Sequence, residues 1–133
     1  MACERTNKGR FAELISESLL LSKGWVVLEP ITPEAFDFAI MLPNSSRIRK
    51  AQVKTARIRY KNDIPYAVVK GAKNSGDIYT KEEADFFVGM VNGHIFTLEN
   101  REISEYWVKL DEIHEKWTTL GGVNNGENTI CEM

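Results

Sequence analysis

Two apolar runs separated by Asn92-Gly93 constrain this chain more than any other local feature. Phe86–Val91 and His94–Glu99 flank a dipeptide that accepts positive φ at both positions. The type I′ turn of a two-residue hairpin demands that backbone, because its twist matches the twist of the strands it joins. An antiparallel pair is therefore expected, and with it a fold organised around a sheet.

The whole chain reads as α-β-β-β-β-α-β-β-α. A helix is predicted over residues 8–23, with Phe11, Leu14, Ile15, Ser18, Leu19 and Ser22 as its core stripe at three-four spacing. Gly24 supplies the stop. Glu13 and Glu17, one turn apart, fall on the other side of that helix, and of the two Glu17 is the expected bystander. Strands are predicted over residues 25–28, 36–42, 48–58 and 66–70, the third bending past Thr55 and the fourth following a turn at Lys61-Asn62-Asp63. Residues 71–77 form a glycine- and lysine-rich loop expected to be mobile. Thr80-Lys81-Glu82-Glu83 matches a capping box and predicts a short helix or turn. Ser104 is the expected cap of a last helix, on which Trp107, Leu110, Ile113 (or His114) and Trp117 recur at helical spacing until Gly121-Gly122. These elements predict an α/β fold, one domain over residues 1–120, and a polar, flexible tail over 121–133.

At 43% hydrophobic and 27% charged, the 133 residues match an ordinary globular domain, which buries about two-thirds of its unfolded surface. No apolar run approaches the roughly 18 residues of a membrane span, and no signal-peptide core is seen, so a cytoplasmic protein without membrane contact is expected. Cys3 and Cys131 are expected to be free thiols. Neither they nor His94 and His114 have metal-ligand spacing.

The net charge of −2 conceals an asymmetry. Residues 1–81 carry 14 Lys/Arg against 8 Asp/Glu, a balance of +6, whereas residues 82–133 carry 3 against 11, a balance of −8. Arg47, Arg49, Lys50, Lys54, Arg57, Arg59 and Lys61 follow one another without an intervening acid. Such a run suits either full solvation or a polyanion, and DNA is the expected partner. Lys8 and Arg10 beside the first helix and Thr55 after Lys54 join the candidate phosphate contacts. The acidic C-terminal third is expected to face away from the phosphates.

Residues two apart on a strand share a face, so Gln52 and Lys54 emerge side by side. Asp37 interrupts an apolar run whose core-facing members are Phe36, Phe38, Ile40 and Leu42, so it points the other way. A turn at Pro43-Asn44-Ser45-Ser46 makes the two segments neighbours, bringing Asp37 towards Gln52 and Lys54. An acid, an amide oxygen and an ammonium on one face suit a divalent cation and a phosphodiester. Apolar packing offers no reason for the combination.

This arrangement resembles the PD-(D/E)XK nuclease superfamily, in which an acid on one strand is followed by acid-x-Lys on the next. Many members add a glutamate from the first helix in a Gly-x-x-x-Glu pattern, matched here by Gly9-Arg10-Phe11-Ala12-Glu13. The chain looks most like small intron-associated homing endonucleases, in which glutamine replaces the second acid, and is also similar to Holliday-junction resolvases. The resemblance runs over residues 8–117. It departs from the pattern at Phe36, where proline is usual, and at Gln52, which removes a negative charge.

The resemblance implies a restriction-endonuclease-like core, a mixed sheet flanked by helices, and a prokaryotic or phage origin. It implies catalysis by Glu13, Asp37, Gln52 and Lys54, with Mg²⁺ (Mn²⁺ substituting) on Glu13, Asp37, Gln52 and the carbonyl of Val53. Cutting both strands of DNA needs two such sites, hence a homodimer or homotetramer. The expected activity is site-specific cleavage of duplex DNA. A junction resolvase and a DNA-binding module without cleavage are the alternatives.

Overall fold

The computed structural model describes residues 4–41, 44–124 and 127–130. Cys3, Leu42, Pro43 and Cys131 lie outside the described residues. A 19-residue helix, α1 (Glu4–Ser22), opens the chain. It ends as expected at Gly24, whose φ of 86° permits two closing bonds. The Gly24 N–H donates to the Leu21 carbonyl at 3.0 Å and the Trp25 N–H to that of Leu20 at 3.1 Å, which is a Schellman cap.

Ten strands follow. β1 (Val26–Leu28), β2 (Phe38–Met41), β3 (Ile48–Thr55), β6 (Phe86–Val91), β7 (His94–Glu99), β9 (Thr118–Asn124) and β10 (Glu127–Ile130) form a seven-stranded sheet in the order β1-β2-β3-β6-β7-β9-β10. The β3–β6 pairing is parallel and all others are antiparallel, so the sheet is mixed. β4 (Arg57–Lys61), β5 (Ile64–Lys70) and β8 (Glu105–Lys109) make a second sheet in the order β4-β5-β8. The predicted third strand thus divides at Ala56, its first part serving the large sheet and its continuation the small one.

Both two-residue turns have the backbone their sequences require. Asn92 and Gly93 sit at φ 49° and 81°, Asn62 and Asp63 at 53° and 64°. Asn and Asp tolerate this left-handed region better than other side-chain-bearing residues. The β6–β7 hairpin has the predicted bounds.

The large sheet is covered on both faces. Under α1, Leu19, Leu20, Phe38, Ile40, Phe86, Val88 and Ile95 form one core cluster. On the other face, Phe87, Phe96 and Leu98 meet Ala67, Val69, Tyr106 and Val108 of the small sheet, with Tyr79 and Trp117. β6 feeds both clusters with alternate residues, which explains its unbroken apolar run.

Several expectations are corrected. α1 buries only part of the predicted stripe: Leu19 is buried and Ile15 half-buried, but Phe11 and Leu14 are 49% and 47% exposed, while Ala12, Ser16, Glu17 and Leu20 are buried in their stead. Small side chains at Ala12 and Ser16 let the helix sit close to the sheet, and the Ser16 hydroxyl is satisfied by the Ala12 carbonyl at 2.6 Å. The helix is therefore rotated from the orientation that the largest side chains suggested.

The predicted last helix is instead β8, a 3₁₀ turn (Leu110–Glu112) and a four-residue helix α2 (Ile113–Lys116). Tyr106 and Val108 alternate with Trp107, and pairing with β5 overrides the helical spacing. Beyond Gly121, where a polar tail was expected, the chain pairs as β9 and β10.

The loop expected to be mobile is closed by bonds from Lys73 N–H to the Asp77 carbonyl at 2.8 Å and from Tyr79 N–H to the Gly71 carbonyl at 3.1 Å. A Cβ at Gly71 would press into the Ile103 carbonyl and lie 2.8 Å from the Tyr106 ring, so this approach requires glycine. At Thr80 a turn forms rather than a helix, with Glu83 accepting the Thr80 N–H at 3.0 Å.

Buried Asn100 ties these segments together. Its amide donates to the carbonyls of Tyr79, Thr80 and Ala84 at 3.0, 3.2 and 2.9 Å, and its oxygen accepts the Glu102 N–H at 2.8 Å. Among the described residues no helix is long and apolar enough to cross a membrane.

Candidate active site

Asp37 stands immediately before β2 and is fixed from two directions. Its N–H donates to the Ala51 carbonyl at 2.8 Å, and its Oδ2 accepts the Val53 N–H at 2.8 Å. The β2–β3 register pairs Phe38 with Ala51, which sets Asp37 opposite Gln52 one step on. Lys54 follows on the same face of β3. No described residue donates to Asp37 Oδ1, which leaves that oxygen available to a cation or a water.

Glu13 approaches from α1. It lines, with Asp37, Arg10, Glu29 and Phe36, a cavity of about 410 Å³. Arg10 binds it at 2.6 Å. Lys54 opens on a neighbouring cavity of about 440 Å³, together with Thr55, Arg57, Lys70 and Asn74. Of the predicted constellation, Glu13 and Asp37 line one cavity and Lys54 the other, while Gln52 is set opposite Asp37 by the strand register. Val53 lies between Gln52 and Lys54 on β3.

The electrostatics are those of a partly desolvated site. Burial raises the pKa of Asp37, opposed by the Val53 N–H and by Lys54. Burial lowers that of Lys54, opposed by Asp37 and reinforced by Lys70. Burial and then the Asp37 charge raise that of Glu13, opposed by Arg10. Two carboxylates whose burial disfavours ionisation, beside an ammonium whose pKa burial lowers, fit a divalent cation, whose charge would reverse the penalty on the acids. The donor set, two carboxylates with amide and backbone carbonyl oxygens, is hard and oxygen-rich, as Mg²⁺ or Mn²⁺ requires.

Tyr79, buried in the small-sheet cluster, holds Lys54. The lysine ammonium lies 4.7 Å from the Tyr79 ring centre and hydrogen-bonds its hydroxyl at 3.4 Å. Lys70, the last residue of β5, is a further cation at this site. Tyr79 arrives through the closure of the 71–79 loop, which leaves no local signature in the sequence. Glu17 is corrected more sharply. It is only 7% exposed, and its pKa is raised to about 7 by burial first and then by Glu29.

The candidate DNA contacts divide in two. Arg47 lies exposed ahead of β3, and Arg57, Arg59 and Lys61 alternate along one exposed face of β4. Thr55 is exposed at the end of β3. Arg49, by contrast, grips Glu99 at 2.6 and 2.7 Å and stacks over Phe86 at 5.1 Å. Lys50 donates to the Glu82 carbonyl and faces the Phe36 ring, while Arg10 serves Glu13. Lys8 is on α1, but its side chain lies outside the described residues.

The acidic third is therefore not wholly remote from the basic run, since Glu99 and Glu82 hold two of its members. His94 and His114 meet, 5.6 Å between ring centres, but inside an aromatic group with Phe96 rather than at the site.

No family model matches the sequence, and no curated protein matches it significantly. Among solved structures, the fold is similar to that of I-Ssp6803I, described as a bacterial homing endonuclease. The TM-score is 0.60 at 21% identity, over 82% of this chain and 77% of that one.

Proposed function

We propose that the chain is a metal-dependent endonuclease of the homing type, hydrolysing phosphodiester bonds in double-stranded DNA. One observation carries the reading: Asp37 is locked by the Val53 N–H opposite Gln52 and beside Lys54, with Glu13 on the same cavity. The likeness of the fold to a bacterial homing endonuclease supports it.

Asp37, Glu13, the Val53 carbonyl and the Gln52 amide oxygen would hold Mg²⁺, with Mn²⁺ as a substitute. A divalent ion so bound lowers the pKa of its water and polarises the scissile phosphate. The chain's own residues do the rest. The bond from Val53 N–H fixes the Asp37 carboxylate against rotation. Lys54, its proton loosened by burial and its position set by Tyr79, orients the attacking water and offsets charge on the pentavalent phosphorus. Thr55 and the exposed β4 cations hold neighbouring phosphates, giving affinity and register rather than base identity.

A second strand requires a second site, so the working form is a homodimer or homotetramer. The exposed Phe11, Leu14 and Leu21 on the solvent side of α1 support self-association. Light scattering is expected to give a mass at least twice 15.1 kDa.

The decisive test is cleavage of plasmid DNA with Mg²⁺ or Mn²⁺ by the wild type and by Asp37→Ala. Cutting that needs the metal and disappears in the variant, with DNA binding largely kept, supports the reading. Binding without cutting under every metal would leave a non-catalytic module, and preference for a synthetic four-way junction would select a resolvase.

A further inference from the structure

Three carboxylates meet beside the proposed catalytic ion. One oxygen from each of Glu13, Glu17 and Glu29 lies within 4.8 Å of the others. Glu13 and Glu17 come from successive turns of α1, and Glu29 from the segment that follows β1. The cation at this cluster is Arg10, 2.6 Å from Glu13 and 3.8 Å from Glu29. Three potential negative charges thus share one guanidinium.

Glu17 is the informative member. Its side chain is more than nine-tenths buried, and its Oε2 has no hydrogen-bond partner. An unpartnered buried carboxylate oxygen is costly, and native proteins keep such an atom when something outside the chain satisfies it. In the absence of that partner, a proton shared with Glu29 relieves the charge. Glu13 and Glu29 line the cavity that also reaches Asp37, so solvent ions have a route to the cluster.

We propose that Glu17 and Glu29, with Glu13, form a second divalent-cation site next to the one at Asp37. The chemistry is three hard carboxylate oxygens around a small dication, with water completing the shell. Glu13 would be shared between the two sites. The arrangement restores the negative charge that Gln52 withholds from the Asp37 side. The cation site stands on the cluster alone, and its part in cleavage rests on the endonuclease reading.

The test is titration of the intact chain with Mn²⁺, counting bound ions by electron paramagnetic resonance. The wild type is expected to bind two per chain. Glu17→Gln and Glu29→Gln are each expected to bind one, and Asp37→Asn to lose the other while keeping the Glu17-dependent ion. Glu29 is half exposed, so its variant folds even if the buried change at Glu17 does not. Equal Mn²⁺ counts in the wild type and Glu29→Gln overturn the proposal, as does a wild type with one ion lost only in Asp37→Asn. Two ions in a chain that cuts no DNA would sink the endonuclease reading and leave this site standing.

Discussion

The two faces of the seven-stranded sheet are built on opposite terms. Towards the small sheet, Phe87, Phe96, Tyr106 and Trp117 fill the space with aromatic rings, and Phe87 meets Tyr79 and Tyr106 with ring centres 5.8 and 5.5 Å apart. Towards α1, the helix presents Ala12, Ser16 and a buried glutamate, and leaves Phe11 and Leu14 in solvent. One face stores stability in apolar area. The other also buries Leu19 and Leu20 against Phe38, Phe86 and Ile95, but along the earlier turns of α1 it gives up large apolar side chains, which lets Glu13 and Glu17 lie close to the sheet.

The comparison breaks if the faces prove interchangeable, and the largest effects test that first. Asp37→Ala is expected to lower cleavage by roughly 10³-fold or more, with little change in urea midpoint. Phe87→Ala should do the reverse, costing about 3–5 kcal/mol in urea unfolding, with metal-dependent cleavage per folded molecule kept. A fall in stability from Asp37→Ala as large as that from Phe87→Ala would erase the distinction.

Tyr79 both packs in the small-sheet cluster and touches Lys54, and its hydroxyl separates the two roles. Tyr79→Phe keeps the ring against Phe87 but removes the bond to Lys54. Cleavage should fall by about 10-fold, with its pH profile displaced and the thermal midpoint nearly unchanged. An unaltered profile would make Tyr79 a packing residue only.

The acid cluster predicts a pH signature. The folded-state pKa of Glu17 lies near 7, above the ordinary carboxylate value of 4.5, so the folded chain holds its proton more tightly than the unfolded chain does. That contribution is fully present below pH 4.5 and is lost as pH rises through 7. Without divalent metal, the melting temperature of the wild type should therefore fall over this window more than that of Glu17→Gln. Parallel curves would show that the buried acid costs the helix face nothing.

The smallest effect separates exposed from engaged cations. Replacing Arg57 and Arg59 with Gln should flatten the salt dependence of DNA binding by about one unit per lost phosphate contact. Arg49→Gln, which breaks the pair with Glu99, should leave the slope unchanged and lower the melting point slightly. Equal slopes for the two sets would place the interface elsewhere.

Much of this was legible in the sequence where local chemistry decides. The Asn92-Gly93 turn, the Gly24 stop and the Gln52-x-Lys54 alternation depend on backbone preference or strand period, and each is found as read. Asp37 beside Val53 follows from the hairpin that joins β2 and β3. Legibility fails where the partner decides. Trp107, Leu110, Ile113 and Trp117 keep helical spacing, yet β5 offers Tyr106 and Val108 a ladder. Phe11 and Leu14 are larger than Ala12 and Ser16, but close approach to the sheet favours the smaller pair. Glu17 was passed over for the same reason, since its burial follows from that rotation.

Ala56 stands where one run of main chain leaves the large sheet for the small one. Lys54 is two residues on one side of that fork, and the arginines of β4 begin one residue on the other. Under the proposed reading, whatever grips β4 is tugging on the backbone that aims the lysine. Docking and aim are then one mechanical act, and a substrate seated a step out of place would misdirect the ammonium as it bound. Fidelity of cutting would come from the stiffness of a three-residue junction.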